Sequence, residues 1–191
     1  MNLLLILIAS IIINNFVLHY FLGICPFLGV SKKINAAFSM GVAVTFVLVL
    51  TAVASWAINH WILIPYNLQY LQIVAFILVI ASLVQFVEMF VRKTSPPLYQ
   101  AMGIYLPLIT VNCVIMGLAL LASLKEYDFA ETVVFGVGAG AGFTLAIVLM
   151  AAIREQLELA DVPEAFKGAG IALIVSGIMA LAFLGFSGMI K

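Results

Sequence analysis

Six long apolar segments fill most of this chain, and that pattern limits the possible folds more than any other feature. The segments lie near residues 2–24, 36–58, 69–91, 99–122, 130–152 and 169–189. A helix that crosses the hydrocarbon core of a membrane needs about 20 apolar residues. No segment alternates apolar and polar residues as the strands of a membrane barrel do. The sequence therefore predicts an all-α membrane protein with six transmembrane helices.

The composition leaves little room for a soluble domain or a charged ligand. Hydrophobic residues make up 66% of the 191 residues and charged residues only 8%. A soluble domain is close to half apolar and a quarter charged. The formal net charge is zero and no basic run occurs, so no nucleic-acid partner is expected. The first segment has no positively charged start, so it is expected to remain as a membrane helix in the lipid bilayer.

The positions of lysine and arginine predict the orientation of the helices. Six of them fall in the first, third and fifth connections: Lys32, Lys33, Arg92, Lys93, Arg154 and Lys167. Only Lys125 and Lys191 fall on the other side. Because cytoplasmic loops carry an excess of Lys and Arg, these three connections are expected in the cytoplasm and both termini outside.

The two halves of the chain are expected to form inverted repeats, at approximately 1–95 and 98–191, within one transmembrane domain over 1–191. Each half has three segments, so the second half enters the membrane with the opposite orientation. Two pairs of segments match weakly across the halves: Ile13-Asn14-Asn15 with Val111-Asn112-Cys113 at an offset of about 98 residues, and Val44-Thr45-Phe46 with Ala141-Gly142-Phe143 at 97. In inverted repeats, sites lie at the repeat interface near the membrane centre, often on discontinuous helices.

Asparagine occurs where the first and fourth segments should reach the middle of the membrane. Asn14, Asn15 and Asn112 each lie about ten residues or more from a segment end. One interpretation is hydrogen bonding between helices. The other is that the first and fourth helices are broken or re-entrant, and that freed backbone groups and amides bind a cofactor or an ion. Both interpretations are open.

The two cysteines, Cys25 and Cys113, are too few for a disulfide framework, and both lie in apolar surroundings. Two buried, inert thiols are the simplest interpretation. By straight counting, Cys25 lies at the cytoplasmic end of the first helix. The two thiols can therefore meet only if that helix breaks near the asparagines or the segment around Cys25 folds back. Two thiolates are half of a Cys₄ site, so a metal or cluster would need two more ligands from another chain.

Four further side chains are candidates for an ion path: Thr45, Glu88, Thr110 and Ser176. Glu88 is a carboxylate well inside the third predicted span, and it stands four residues before Arg92. That spacing favours a helical ion pair, which competes with a role as a proton or sodium site.

Small residues predict where helices approach each other closely. Gly136 and Gly140, and also Gly138 and Gly142, repeat a small-xxx-small spacing on the fifth segment. They follow no strand, so a nucleotide-binding loop is excluded. Beyond this segment, the charged residues from Arg154-Glu155 onward either dock a soluble partner domain or belong to a solvated loop.

Several motifs resemble one family of membrane proteins almost end to end. They are Asn14-Asn15-Phe16-Val17-Leu18, the segment from Phe21 to Lys33 with Gly23-Ile24-Cys25-Pro26-Phe27, Leu106-Pro107-Leu108-Ile109-Thr110-Val111-Asn112-Cys113, Ala152-Ile153-Arg154-Glu155 and Ala160-Asp161-Val162-Pro163. The family contains the RnfA-type component of the Rnf ion-translocating electron-transport complex and the NqrE-type component of the Na⁺-translocating NADH:quinone reductase. The Cys-Pro-Phe segment and the Asn pair fit the Rnf branch better.

The resemblance implies one component of a redox-driven translocase in a bacterial or archaeal cytoplasmic membrane, not catalytic alone. Such a complex couples electron transfer between ferredoxin and NAD⁺ to Na⁺ or H⁺ movement. The resemblance also implies a [2Fe-2S] cluster shared with a homologous, oppositely oriented E-type subunit, with ligands at positions matching Cys25 and Cys113. Asn14, Asn15 and Asn112 would support that cluster. FMN, riboflavin and NAD belong to the other subunits, of B, C, D and G type.

Two interpretations from other functional classes compete with the electron relay. A small secondary transporter would use the inverted repeats and the polar residues near the membrane centre, with incidental cysteines. A scaffold protein would have no redox role, so that replacing both cysteines would be silent.

Overall fold

The computed structural model describes residues 3–66, 69–94, 112–161, 163 and 166–186, and within them the chain is helical with no strand. The helices are α1 Leu3–Ile13, α2 Ile24–Val30, α3 Ile34–Leu63, α4 Gln72–Thr94, α5 Cys113–Leu124, α6 Phe129–Leu157 and α7 Ala169–Leu184. The last turns of α1 and α3, Ala9–Ile13 and Asn59–Leu63, are π-helical. A short 3₁₀ turn, Gln69–Leu71, leads into α4.

Three of the described helices are long and apolar enough to cross a membrane. They are α3 with 30 residues, α6 with 29, and the segment Gln69–Met89, which includes most of α4, with 21. The other long apolar segments of the described part, α1, α5 and α7, have between 10 and 17 residues. The second, third and fifth predicted spans are therefore present as single long helices.

The first predicted span, 2–24, is not one continuous helix. Helix α1 ends at Ile13, where the backbone N–H of Asn14 bonds to the carbonyl of Ala9 at 2.7 Å. The next helix, α2, begins at Ile24, so the predicted break near the asparagines is present. In the fourth span, α5 begins at Cys113, and the preceding residues 99–111 lie outside the described residues.

Helices α3 and α6 run antiparallel and make the most extensive contact between described helices. The contact is reciprocal. A Cβ atom on Gly41 of α3 would lie 2.6 Å from Thr144, and one on Gly140 of α6 would lie 2.6 Å from Thr45. The two threonine hydroxyls are 3.5 Å apart, and each donates to the carbonyl of the glycine four residues earlier. The small size of both glycines makes this crossing possible.

A second glycine face of α6 packs against α1. A Cβ atom on Gly138 would collide with the hydroxyl of Ser10, and one on Gly142 would lie 3.0 Å from the carbonyl of Ile11. The other glycine pair faces α3 instead. The close helix contact predicted from the small-xxx-small spacing is therefore confirmed, on two sides of the same helix.

The end of α6 holds the connection between α2 and α3. The guanidinium of Arg154 donates to the carbonyl of Leu28 at 2.8 Å, and the carboxylate of Glu155 accepts from the N–H of Ile34 at 3.2 Å. A cation thus meets the C-terminal turn of α2 and an anion meets the first turn of α3, as helix dipoles favour. Both side chains therefore bind backbone groups of the same chain. The two predicted alternatives for this region, a docking site and a solvated loop, did not include this role.

Replacing Arg154 by alanine is expected to lower the stability of the chain by about 1 kcal/mol, because the carbonyl of Leu28 loses a charged donor at a partly exposed position. Thermal unfolding in detergent, followed by size-exclusion chromatography, measures the change. Lys167→Ala is the control, since Lys167 lies at the same end of the molecule and is exposed. Equal midpoints for both variants would contradict the anchoring role.

Candidate functional site

Asn15 organises the break between α1 and α2. Its side chain is fully buried, and its amide nitrogen donates to the carbonyls of Ile11, at 3.1 Å, and of Gly142 on α6, at 2.8 Å. Its oxygen accepts the backbone N–H groups of Val17, at 3.0 Å, and of Leu18, at 3.4 Å. One side chain therefore replaces helical hydrogen bonds that the break removes, as an apolar environment requires.

The segment between α1 and α2 packs against α6, and this packing fixes the position of its last residue, Gly23. Phe16 is fully buried, with its ring 5.7 Å from that of Phe135 on α6. The N–H of Leu22 bonds to the carbonyl of Phe16 at 2.9 Å. Gly23 completes the turn with a φ of 82°, in the left-handed region that favours glycine, and α2 begins at the next residue.

This turn brings the two cysteine segments together. The backbone N–H of Gly23 donates a hydrogen bond to the sulfur of Cys113 at 2.8 Å. Cys25 follows two residues later in the chain, so its Cα lies within about 7 Å of that of Gly23. The break in the first span is what allows this approach, since a straight helix would carry Cys25 to the membrane surface.

Both cysteines are free thiols and both are exposed on the surface of the chain. Cys113 is the first residue of α5 and Cys25 is the second of α2. These positions differ from the buried, inert thiols that the cysteine count alone favoured. Thiols exposed on an apolar surface are available to a ligand or to a second protein.

Asn112 shapes the other side of the site. Its side-chain oxygen accepts the N–H of Val114 at 3.1 Å and so caps α5. The residue is 5% exposed, and its side-chain nitrogen has no hydrogen-bond partner among the described residues. A buried donor without an acceptor costs free energy, so this amide is available to a group that completes the site.

The donor set of the site is two thiols and no more within the described part of the chain. No group of three or more His, Cys, Asp or Glu side chains that could hold a metal ion occurs there. A [2Fe-2S] cluster or a structural zinc site takes four protein ligands. The described residues therefore do not form a complete metal site of this kind by themselves.

Three other predicted site residues make different contacts in the described structure. Asn14 ends the π turn of α1 through its backbone. Thr45 lies at the crossing of α3 with α6. The hydroxyl of Ser176 on α7 donates to the carbonyl of Leu173 at 2.8 Å. The side chain of Asn15, and not that of Asn14, therefore makes the contacts that hold the break.

The remaining candidates for the ion path are Glu88 and Thr110. Glu88 is half-buried on α4. Thr110 and the side chain of Arg92 lie outside the described residues. The ion pair between Glu88 and Arg92 therefore stays a prediction.

Three contacts of the described structure were not predicted from the sequence: the N–H of Gly23 on the sulfur, the anchor at Arg154, and the contact of Thr144 with Thr45. The sequence carries a signal for the last of these. A glycine precedes each threonine by four residues, and the two threonines are separated by 99 residues. The first two contacts join backbone atoms to distant side chains, for which no residue pattern exists.

Comparison with known proteins identifies similar chains over nearly the whole length. A family model described as "Rnf-Nqr subunit, membrane protein" matches residues 3–190. The A-type component of the ion-translocating oxidoreductase complex of Syntrophotalea carbinolica is 57% identical over 189 residues, which cover 99% of this chain and 98% of that protein. The A-type component of the Na⁺-translocating ferredoxin:NAD⁺ oxidoreductase complex of Acetobacterium woodii is 59% identical over 189 residues, with the same coverage of both chains.

Proposed function

Because the chain belongs to the Rnf-Nqr family of membrane proteins, we propose that it is the A-type component of an ion-translocating ferredoxin:NAD⁺ oxidoreductase complex. Relatives that carry this name cover the chain almost completely. The chain works with the other subunits of the complex and is not catalytic alone. Flavins and the NAD site belong to those other subunits.

Within the complex, Cys25 and Cys113 are the two ligands that this chain contributes to a [2Fe-2S] cluster. The contact between the Gly23 N–H and the sulfur of Cys113 carries this proposal, because it joins the two cysteine segments at one place. A bound cluster of this type accepts and releases one electron. The exposed thiols leave room for two ligands from a homologous, oppositely oriented E-type subunit.

The asparagines support the site without binding the metal. Asn15 holds the broken segment through the four bonds described above, and Asn112 caps α5 so that Cys113 begins the helix. The side-chain nitrogen of Asn112, which has no partner among the residues that the structure describes, is a donor available to the sulfur atoms of the site. Hydrogen bonds of this kind orient the ligands and tune a metal centre.

The proposal includes an inverted repeat of two halves. The reciprocal contact of Gly41 with Thr144 and of Gly140 with Thr45 supports it, because a two-fold axis relates equal contacts in both directions. A second support is that the side-chain oxygens of Asn15 and Asn112 each accept the N–H two residues later; this pairs Asn15 with Asn112, at an offset of 97 residues, and not Asn14 with Asn112. The six transmembrane spans, with the cytoplasmic connections described above, belong to this proposal.

Two cavities whose linings contain polar and charged side chains among apolar ones support the ion-translocating role. One, of about 500 Å³, lies where α3 and α5 end and α4 begins, and its lining includes Ser55, Asn59, Gln72, Ser123, Glu126 and Thr132. The other, of about 750 Å³, lies where α2 and α6 end and α7 begins, and its lining includes Lys32, Arg154, Glu158, Asp161 and Lys167. Because α3 and α6 are antiparallel, the cavities open at opposite ends of the bundle. The candidate residues for the path of Na⁺ or H⁺ between the ends are Thr45, Glu88, Thr110 and Ser176.

The decisive experiment compares the purified complex with a variant that lacks both thiols. We expect a reduced [2Fe-2S] signal in low-temperature electron paramagnetic resonance of the anaerobic complex. In a Cys25→Ser/Cys113→Ser variant assembled to the same extent, we expect that signal, the cluster iron and electron transfer to be lost. Ser82→Ala, an exposed change on α4, is the control and should leave all three unchanged.

An unchanged signal in the double cysteine variant would overturn the ligand assignment. An intact complex without cluster iron would point instead to a transporter or a scaffold. Transport of an ion by the chain without its partners would favour the transporter, and no such transport would favour the scaffold.

A further inference from the structure

We propose that the backbone N–H of Gly23 is a direct hydrogen-bond donor to the Cys113 sulfur in the assembled site, where it raises the reduction potential of the cluster; this inference rests on the proposed function. Gly23 is thereby a positioning residue that binds no metal. The observation is the 2.8 Å contact between its nitrogen and the sulfur.

The geometry ties this donor to glycine. Gly23 has a φ of 82°, which residues other than glycine rarely adopt. A Cβ atom at this position would lie 2.6 Å from a methyl group of Val114, 3.1 Å from the ring of Phe143 and 3.5 Å from the side-chain oxygen of Asn112. Val114 and Phe143 are fully buried, so neither has space to move. A side chain at residue 23 would therefore push the turn away from α5.

The N–H of Gly23 also needs an acceptor where it lies. Gly23 is buried and precedes the first residue of α2, and its own carbonyl accepts the N–H of Phe27 at 3.1 Å. Nearly all buried backbone N–H groups in proteins are paired. The sulfur of Cys113 is the acceptor that the structure provides, so the bond fixes the position of α2 and its Cys25 relative to α5.

An amide hydrogen that points at a thiolate stabilises negative charge on the sulfur. The site carries one more negative charge after reduction, so the bond favours the reduced form more than the oxidised form. Loss of the bond should make reduction less favourable by about tenfold in the equilibrium constant, which is about 59 mV for one electron.

Isotope labelling tests the contact in the native complex. The complex is prepared with [¹⁵N]glycine, reduced, and measured by pulsed electron paramagnetic resonance, which detects nitrogen nuclei close to the unpaired electron. We expect a ¹⁵N coupling from a glycine amide that is lost in Gly23→Ala. The same coupling should persist in Gly29→Ala, the control, because a Cβ atom on Gly29 meets no atom within 4 Å.

Redox titration of the same samples gives the second readout. The potential should fall in Gly23→Ala and stay unchanged in Gly29→Ala, which a purely structural effect on assembly would not produce. A glycine coupling that is unchanged in Gly23→Ala, or a wild-type spectrum without any glycine coupling, would overturn the inference. If the Gly23→Ala complex holds no cluster, the wild-type labelling decides: coupling supports the contact and its absence overturns it.

The outcomes separate this inference from the proposed function. A wild-type complex without a cluster signal, or one whose signal survives loss of both cysteines, rejects the proposed function. A cluster that depends on the cysteines but shows no coupling to Gly23 rejects only the hydrogen bond.

Discussion

Replacing Asn15 by alanine should destabilise this protein more than removal of any other polar side chain in its described part. The substitution removes the acceptor of the Val17 and Leu18 N–H groups and the donor to Ile11 and Gly142. Each buried donor left unpaired costs about 1–3 kcal/mol, so the two N–H groups together cost about 2–6 kcal/mol. The site is fully buried, which keeps water from replacing the lost bonds.

The measurement is the amount of folded chain in the membrane and its thermal midpoint after detergent extraction. Asn35→Ala is the matched control, since Asn35 is exposed near the start of α3. We expect most of the Asn15→Ala chain to be lost by degradation or aggregation, and the control to behave as the wild type. Equal yield and equal midpoint of the two variants would show that the break holds without the amide.

The second large effect is expected from a single added methyl group at Gly140. Its Cβ would lie 2.6 Å from the side chain of Thr45 and 2.8 Å from the Cα of the same residue. A side chain can relieve a close contact by changing its rotamer, but a Cα atom cannot. Helices α3 and α6 must therefore move apart. Overpacking of this kind costs about 1–3 kcal/mol.

Gly177→Ala is the control and should act in the opposite direction. A Cβ atom on Gly177 meets no atom within 4 Å, and the residue lies inside α7. Alanine in place of glycine inside a helix raises the free energy of unfolding by about 0.5–1 kcal/mol, because it reduces the conformational freedom of the unfolded chain. Thermal midpoints should therefore fall for Gly140→Ala and rise for Gly177→Ala. The same sign for both variants would contradict the packing argument.

The break in the first span illustrates how far residue patterns lead. Asparagine in an apolar segment indicates that backbone bonds are interrupted or that helices are linked, because hydrocarbon offers no alternative partner. That reasoning predicted the interruption near Asn14 and Asn15. It did not predict which of the two would hold the turn. The choice depends on Gly142, which is 127 residues away in sequence and whose carbonyl meets the Asn15 amide.

The cysteines illustrate the opposite case. Counting along a straight helix separated Cys25 from the membrane centre, and the number of thiols alone favoured inert residues. Only the resemblance to a family predicts that both cysteines are metal ligands. In the structure the approach depends on a backbone N–H of Gly23, separated from Cys113 by 90 residues.

The sequence by itself indicated the helical class, six apolar segments of which three are long helices in the described part, and the close packing through glycine; it offered a break near Asn14 and Asn15 as one of two interpretations. These properties follow from local composition and spacing, because apolar length and helical period act over a few turns. The tertiary structure decided which atoms meet: the Gly23 amide with the Cys113 sulfur, and the Arg154 guanidinium with the Leu28 carbonyl, 126 residues apart. Such contacts arise when packing brings distant backbone groups to polar side chains. Because nearly every residue carries the same backbone N–H and carbonyl, the residue sequence does not indicate which of these groups a side chain will meet.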